Sequence, residues 1–164
     1  MTRVRQVDER DLDFLRLMLF EAAFWRAEVE RPPIAEALAE PELARYLEEF
    51  GRSGDFGVMA LDLQSSEPQG AAWWRLFPRN APGFGFVDDR TPEISIAVVP
   101  ELRGGGVGTE LLRSLIAEAG RQNIKQLSLS VERDNPALRL YERFGFHHPR
   151  ADKNLSTLVV DIPT

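Results

Sequence analysis

The turn Arg103-Gly104-Gly105-Gly106-Val107-Gly108-Thr109 carries the plainest chemical signal in this sequence. It follows Glu93-Ile94-Ser95-Ile96-Ala97-Val98-Val99, a strand-like run that Pro100 ends. It leads into a helix in which Val107, Leu111, Leu112, Leu115, Ile116 and Ala119 recur at helical spacing. The N–H groups of a helix's first turn have no acceptor within the helix, and the helix dipole adds positive potential there. A strand turning sharply into such a helix makes an anion site, and glycines keep side chains from holding a phosphate away from the backbone. The ligand implied is a phosphorylated cofactor held mainly by main chain.

Two common phosphate loops do not fit. A Walker loop ends in Gly-Lys-Ser/Thr, whereas Gly108 is followed by Thr109-Glu110. A dinucleotide fingerprint needs a sixth-position glycine, and counting from Gly104 or Gly106 reaches Thr109 or Leu111. The pattern present is Arg-x-x-Gly-x-Gly, formed by Arg103, Gly106 and Gly108 after Val98-x-Pro100. The alternative is a glycine-rich connection that only caps a helix.

A second stretch lies downstream. Gln126-Leu127-Ser128-Leu129-Ser130-Val131 alternates polar and apolar residues as a half-buried strand does. In Asp134-Asn135-Pro136-Ala137-Leu138-Arg139-Leu140-Tyr141-Glu142-Arg143-Phe144-Gly145-Phe146, Asn135 suits an N-cap and Pro136 the first helical position. Gly145 suits the left-handed residue after the last turn, with Phe146 packing back on the helix end. From Glu93 to Phe146, these two motifs in this order resemble the GNAT family of acyl-CoA-dependent N-acetyltransferases. The first half of the chain resembles it only in layout.

The resemblance implies an enzyme that transfers an acyl group, acetyl-CoA being the default donor, to a primary amine by direct attack. The acceptor would be a small molecule or a peptide or protein amine. In such enzymes the pantetheine arm pairs with the strand before the phosphate loop, here Ile96, Ala97 and Val98, as an extended amide chain can. The pyrophosphate falls to Arg103, Gly104, Gly105, Gly106, Val107, Gly108 and Thr109, through their amides and, less centrally, the Arg103 side chain. Asn135 and Tyr141 complete the cofactor contacts. Three catalytic roles follow: the Val98 N–H as oxyanion donor, the Tyr141 phenol as acid for the departing thiolate, and Glu93 as base, with Asp88 and Asp89 as alternative bases. A structural reading stands beside each: Asn135 as cap, Tyr141 as core aromatic, Glu93 as a solvated strand-end carboxylate. For the acceptor the candidates are Trp25, Glu28, Trp74, Phe86 and Asp88. A non-catalytic acyl-CoA-binding or regulatory protein of the same fold is the rival reading, and a nucleotide-binding protein a second.

The elements that must position these groups follow from pattern. A short strand near Thr2–Val7 precedes a helix from about Asp11 to Arg26, and Arg31-Pro32-Pro33 breaks it. A second helical stretch from Ile34 restarts at Pro41 and runs to Gly51. Two strands, 55–63 and 70–77, then a Pro/Gly-rich connection from Pro78 to Pro92, lead to the strand before the glycine turn. The order β-α-α-β-β-β-α-β-α-β-β, ending in a strand over 157–162, fits an α/β (α+β) fold. The expected architecture is a twisted mixed sheet of about six to seven strands with about four helices spread over both faces.

At 164 residues the chain is expected to form one domain, 1–164. A formal charge of −6 without a basic tract argues against nucleic acid and mildly favours a cationic acceptor. No apolar run long enough to span a membrane occurs, no signal peptide is visible, and the absence of cysteine fits a cytoplasmic setting without disulfides. The adjacent His147 and His148 would point to opposite faces of a strand, so no metal site is expected. Homodimerisation enters only as a habit of the family.

Overall fold

The computed structural model describes residues 1–149 and 156–163. Six strands hydrogen-bond in chain order: β1 (Thr2–Gln6), β2 (Phe56–Asp62), β3 (Pro68–Arg75), β4 (Glu93–Val98), β5 (Gln126–Ser130) and β6 (Thr157–Asp161). Every neighbouring pair is antiparallel except β4–β5, which is parallel. The helices are α1 (Leu12–Ala23), α2 (Ile34–Ala39), α3 (Pro41–Ala44), α4 (Val107–Arg121) and α5 (Leu138–Arg143). The expected mixed sheet with helices on both faces is thus present.

Alternation along the strands divides the core in two. Ala72 and Trp74 of β3, with Val58, Ile94, Leu127 and Leu129, face α4 and meet Leu111, Leu112 and Leu115. Ala71, Trp73 and Ala97 face the other way, against Leu15, Met18 and Leu19 of α1 and the Tyr46–Leu47 segment. Leu111, Leu112 and Leu115 are wholly buried, each contributing about 1.5–3 kcal/mol. That anchorage holds the glycine turn, at the N-terminus of α4, against the sheet.

Several boundaries differ from the sequence expectation. The first helix stops at Ala23 rather than Arg26, because Phe24 leaves helical backbone (φ −117°, ψ 52°). Beyond α3, residues 45–51 form turns rather than helix. The strand expected at the histidine pair reduces to an isolated bridge between His147 and Val159. The last helix begins at Leu138, not Pro136. Asn135 instead opens the preceding turn, its Oδ1 accepting the Ala137 N–H at 2.9 Å. Gly145 does take the left-handed conformation (φ +91°), and Phe146 is buried with its ring edge-on to Tyr141.

Candidate active site

The site begins where β4 and β5 part. Their only paired position is Glu93 with Ser128, where the Ser128 N–H donates to the Pro92 carbonyl at 3.0 Å. On the other edge the Val99 N–H donates to Gln69 beside β3. Backbone direction alternates along a strand. Residues 93, 95, 97 and 99 therefore spend their main-chain groups on the β3 side, and 94, 96 and 98 aim theirs at β5. Past Ser128 no β5 partner remains, which leaves the polar backbone of Ile96 and the N–H of Val98 facing an opening between the strands. Ala97, expected to bind cofactor with its neighbours, pairs with Ala71 and buries its side chain against α1. It has no main-chain group for a ligand.

The glycine turn closes one end of that opening. Gly104 (φ +81°) and Gly106 (φ +93°) adopt left-handed backbone, and a Cβ on either would meet nothing within 4 Å. Side chains are thus kept off an exposed surface for a conformational reason. Gly105 donates its N–H to the Leu102 carbonyl at 3.2 Å. The first helical bond of α4 is Glu110 N–H to Gly106 O, so the amides of Gly104, Gly106, Val107, Gly108 and Thr109 have no acceptor among the described residues. Gly108 packs against Leu140 of α5, where an added Cβ would lie 3.2 Å from Cδ2.

Arg103 points elsewhere than to an incoming phosphate. Its guanidinium donates to the Val98 carbonyl at 3.3 Å, the Trp25 carbonyl at 3.4 Å and Glu21 at 3.1 Å. Glu21 is buried and also bound by Arg31, whose hydrogen bonds hold its carboxyl below the usual range. Arg103 therefore ties the turn to the end of α1.

Tyr141 lies on α5 with its ring in the α4-side core. Burial pushes its phenol above the ordinary tyrosine range, so the group stays protonated at neutral pH. No hydrogen bond reaches the hydroxyl among the described residues.

Glu93 is not the solvated carboxylate of the structural reading. It is 3 % exposed. Oε2 accepts a hydrogen bond from the Tyr46 hydroxyl, and Oε1 accepts the Gly85 N–H at 3.0 Å. Burial raises its pKa to about 7, against the lowering effect of those two bonds. Tyr46 also accepts the Phe84 N–H at 2.8 Å, and Arg45 donates to the Pro82 carbonyl. The β3–β4 connection is thus a braced wall over Glu93. Glycine fits this wall closely: a Cβ at Gly83 would lie 2.3 Å from Glu93 Oε1, and one at Gly85 2.6 Å from the Leu129 carbonyl carbon. Tyr46 escaped the sequence reading because it is 47 residues from Glu93 and shares a helical stretch with apolar neighbours.

The acceptor candidates scatter. Trp74 is wholly buried on the α4 side, with Nε1 donating to the Gly54 carbonyl, so it offers no surface to a ligand. Trp25 is half-buried under the Arg26 guanidinium, 4.4 Å from its ring centroid, and Glu28 is exposed nearby. Arg26 in turn binds Asp134 and Glu132 beyond β5. Phe24, Trp25, Arg26, Val29, Arg31 and Glu132 enclose a cleft of about 250 Å³. Phe86 packs on the α1-side core below Arg79. Asp88 lies in the same connection, where burial raises its pKa but bonds from Arg90 and Thr91 bring it below the ordinary value. No group of three or more potential metal ligands occurs among the described residues, and no described helix is long and apolar enough to cross a membrane.

A sheet that opens beside an amide-lined glycine turn defines the class. Residues 21–146 match the family model for the acetyltransferase (GNAT) family, and the chain belongs to that family. A Bacillus subtilis protein is 36% identical over 76 residues, which make up 46% of this chain and 50% of that protein. The [ribosomal protein bS18]-alanine N-acetyltransferase of Haemophilus influenzae is 35% identical over 66 residues, 40% of this chain and 45% of its own. The chain thus spans about half the length of the curated relatives it matches. Among solved structures, a GNAT superfamily phosphinothricin acetyltransferase from Sinorhizobium meliloti, in complex with AcCoA, superposes with a TM-score of 0.69. It is 20% identical, with 98% of this chain and 88% of that one covered.

Proposed function

We propose that this protein is an acyl-CoA-dependent N-acyltransferase, with acetyl-CoA as donor and a primary amine of the peptide or protein kind as acceptor. One observation carries the reading: five amides from Gly104 to Thr109, unpartnered among the described residues, stand at the N-terminus of α4 beside the place where β4 loses β5. That arrangement fits a pyrophosphate joined to an extended amide chain. Gly104, Gly106, Val107, Gly108 and Thr109 would hold the phosphates, and Ile96 and Val98 the pantetheine amides. The relatives' names and the acetyl-CoA in related structures support the donor and the amine.

Acetyl-CoA supplies a thioester-activated acetyl group. The residues supply the rest. The Val98 N–H is fixed by the strand and directed at the opening, where it can stabilise an oxygen that gains negative charge. The amine nitrogen forms the new bond to carbon as the carbon–sulfur bond breaks. Tyr141, kept protonated by burial, gives its proton to the departing sulfur. Glu93 receives the proton that the amine sheds. Residues 1–164 act as a single domain in a cytoplasmic setting on this reading.

Calorimetric titration with acetyl-CoA, followed by a CoA-release assay against amines, polyamines and peptides with free N-termini, tests it. Tight binding with amine-dependent release is the expected result. Binding without release from any of them would favour a non-catalytic acyl-CoA-binding protein, and no binding would overturn the phosphate-turn assignment.

A further inference from the structure

Glu93 cannot meet an acceptor amine directly. It is 3 % exposed, both oxygens are engaged, and the Gly83–Phe86 segment covers it. A base so enclosed needs a route for its proton. Ser128, at the one register position shared with Glu93, indicates that route. Its Oγ is the one fully buried side-chain polar atom without a hydrogen-bond partner among the described residues. Leu127 and Leu129 face α4, so Ser128 and Ser130 face the α1 side, as do Glu93, Ser95 and Ala97 on β4. Ser95 is half-buried and Ser130 exposed. The floor of the opening on that side is therefore a patch of three serine hydroxyls that begins beside the Glu93 carboxyl and ends at solvent.

An orphaned buried hydroxyl beside a carboxyl is the usual setting of a structural water with two to four polar partners. We infer that Ser128 is a positioning residue for proton transfer, holding a water molecule between its Oγ and the Glu93 carboxyl along a file continued by Ser95 and Ser130. This rests on Glu93 being the base. The amine nitrogen keeps its electron pair for the carbon and releases a proton to the file. The water beside Ser128 gives one of its own protons to Glu93 and takes one from the next member. Nothing is oxidised, and one proton has moved from amine to carboxylate. The other groups around Glu93 do not compete for this role. Tyr46 and Gly85 donate to it from above, and Arg75, its cross-strand neighbour on β3, is turned away to Asp55 and the carbonyls of Arg45 and Glu48.

The test pairs Ser128→Ala with Ser128→Thr, which keeps a hydroxyl, and uses Glu93→Gln as reference. A high-resolution crystal structure of the CoA complex should show an ordered water bonded to Ser128 Oγ and Glu93, absent in Ser128→Ala. In carbon-13 NMR the Glu93 carboxyl should titrate at higher pH in Ser128→Ala, because the carboxylate loses a donor. With the best amine of the CoA-release assay, Ser128→Ala should lower kcat about tenfold. Acetyl-CoA affinity should not change, Ser128→Thr should restore most of the rate, and the double variant should be no slower than Glu93→Gln. A dry Ser128 that bonds a backbone carbonyl, or an unmoved Glu93 titration, overturns the inference while leaving Glu93 as base. A fully active Glu93→Gln overturns both.

Discussion

The hydroxyl of Tyr46 donates to Oε2 of Glu93 while accepting the N–H of Phe84. One side chain thereby joins the segment after α3, the first residue of β4 and the connection that covers it. The bond matters for the acid as well as for the architecture. Burial raises Glu93 and the Tyr46 hydrogen bond opposes that rise, so Tyr46→Phe should move the Glu93 midpoint above about 7. The sign for stability follows. Between the ordinary value of 4.5 and about 7 the folded protein keeps a proton that the unfolded chain has released. The contribution of Glu93 to stability should therefore be full below about pH 4.5 and be lost as pH rises through 7, by an amount on the order of 3 kcal/mol. Glu93→Gln should flatten that slope in urea titrations across pH. A slope that survives the substitution would place its origin elsewhere.

How much of this was legible in the sequence depended on whether the determinant was local. The glycine turn, α4 and the Gly145–Phe146 ending were legible because each is set by residues within one helical turn of one another. Strand alternation alone puts Trp73 and Trp74 on opposite faces, but it does not say which tryptophan meets which layer. The enclosure of Glu93 was not legible. It requires Tyr46, Gly85 and Ser128 to converge from three separate segments, and no spacing in the sequence encodes that convergence. Asn135 was misplaced by two residues because Asn-Pro opens a turn as readily as it caps a helix.

Gly106→Val tests the phosphate turn. The left-handed backbone at Gly106 (φ +93°) makes a β-branched residue strained there, by about 1–2 kcal/mol, yet an added Cβ meets nothing within 4 Å. The protein should still unfold cooperatively, with a slightly lower Tm. Acetyl-CoA affinity, measured by calorimetry, should fall more than tenfold because the side chain stands over the amides. Unchanged affinity would show that the phosphates bind elsewhere.

Tyr141→Phe separates catalysis from packing. The phenol lacks a hydrogen-bond partner among the described residues, whereas the ring packs edge-on to Phe146 at 5.8 Å. Phe keeps the ring, so Tm should hold or rise. If the phenol protonates the leaving sulfur, kcat should fall about 100-fold with acetyl-CoA affinity unchanged. An unaffected kcat would make Tyr141 a core residue only.

Gly85→Ala tests whether the wall over Glu93 is built by close backbone approach. Gly85 does not have a positive φ, so conformational strain is not at issue. What an alanine would meet is backbone: the Leu129 carbonyl carbon at 2.6 Å, its oxygen at 2.8 Å and the Ser130 nitrogen at 2.8 Å. A strand in mid-sheet cannot yield as a side-chain tip can, so the connection must lift instead. Lifting breaks the Gly85 N–H bond to Glu93 and exposes the carboxyl. The expected cost is about 1–3 kcal/mol in chemical denaturation. The solvated Glu93 should then titrate nearer its ordinary range of 4.5 than about 7. Activity that depends on Glu93 as a base poised near neutrality should lose its acid limb at pH 7 and its rate together. If Gly85→Ala instead leaves both stability and the Glu93 midpoint in place, the connection does not hold Glu93 in a desolvated state.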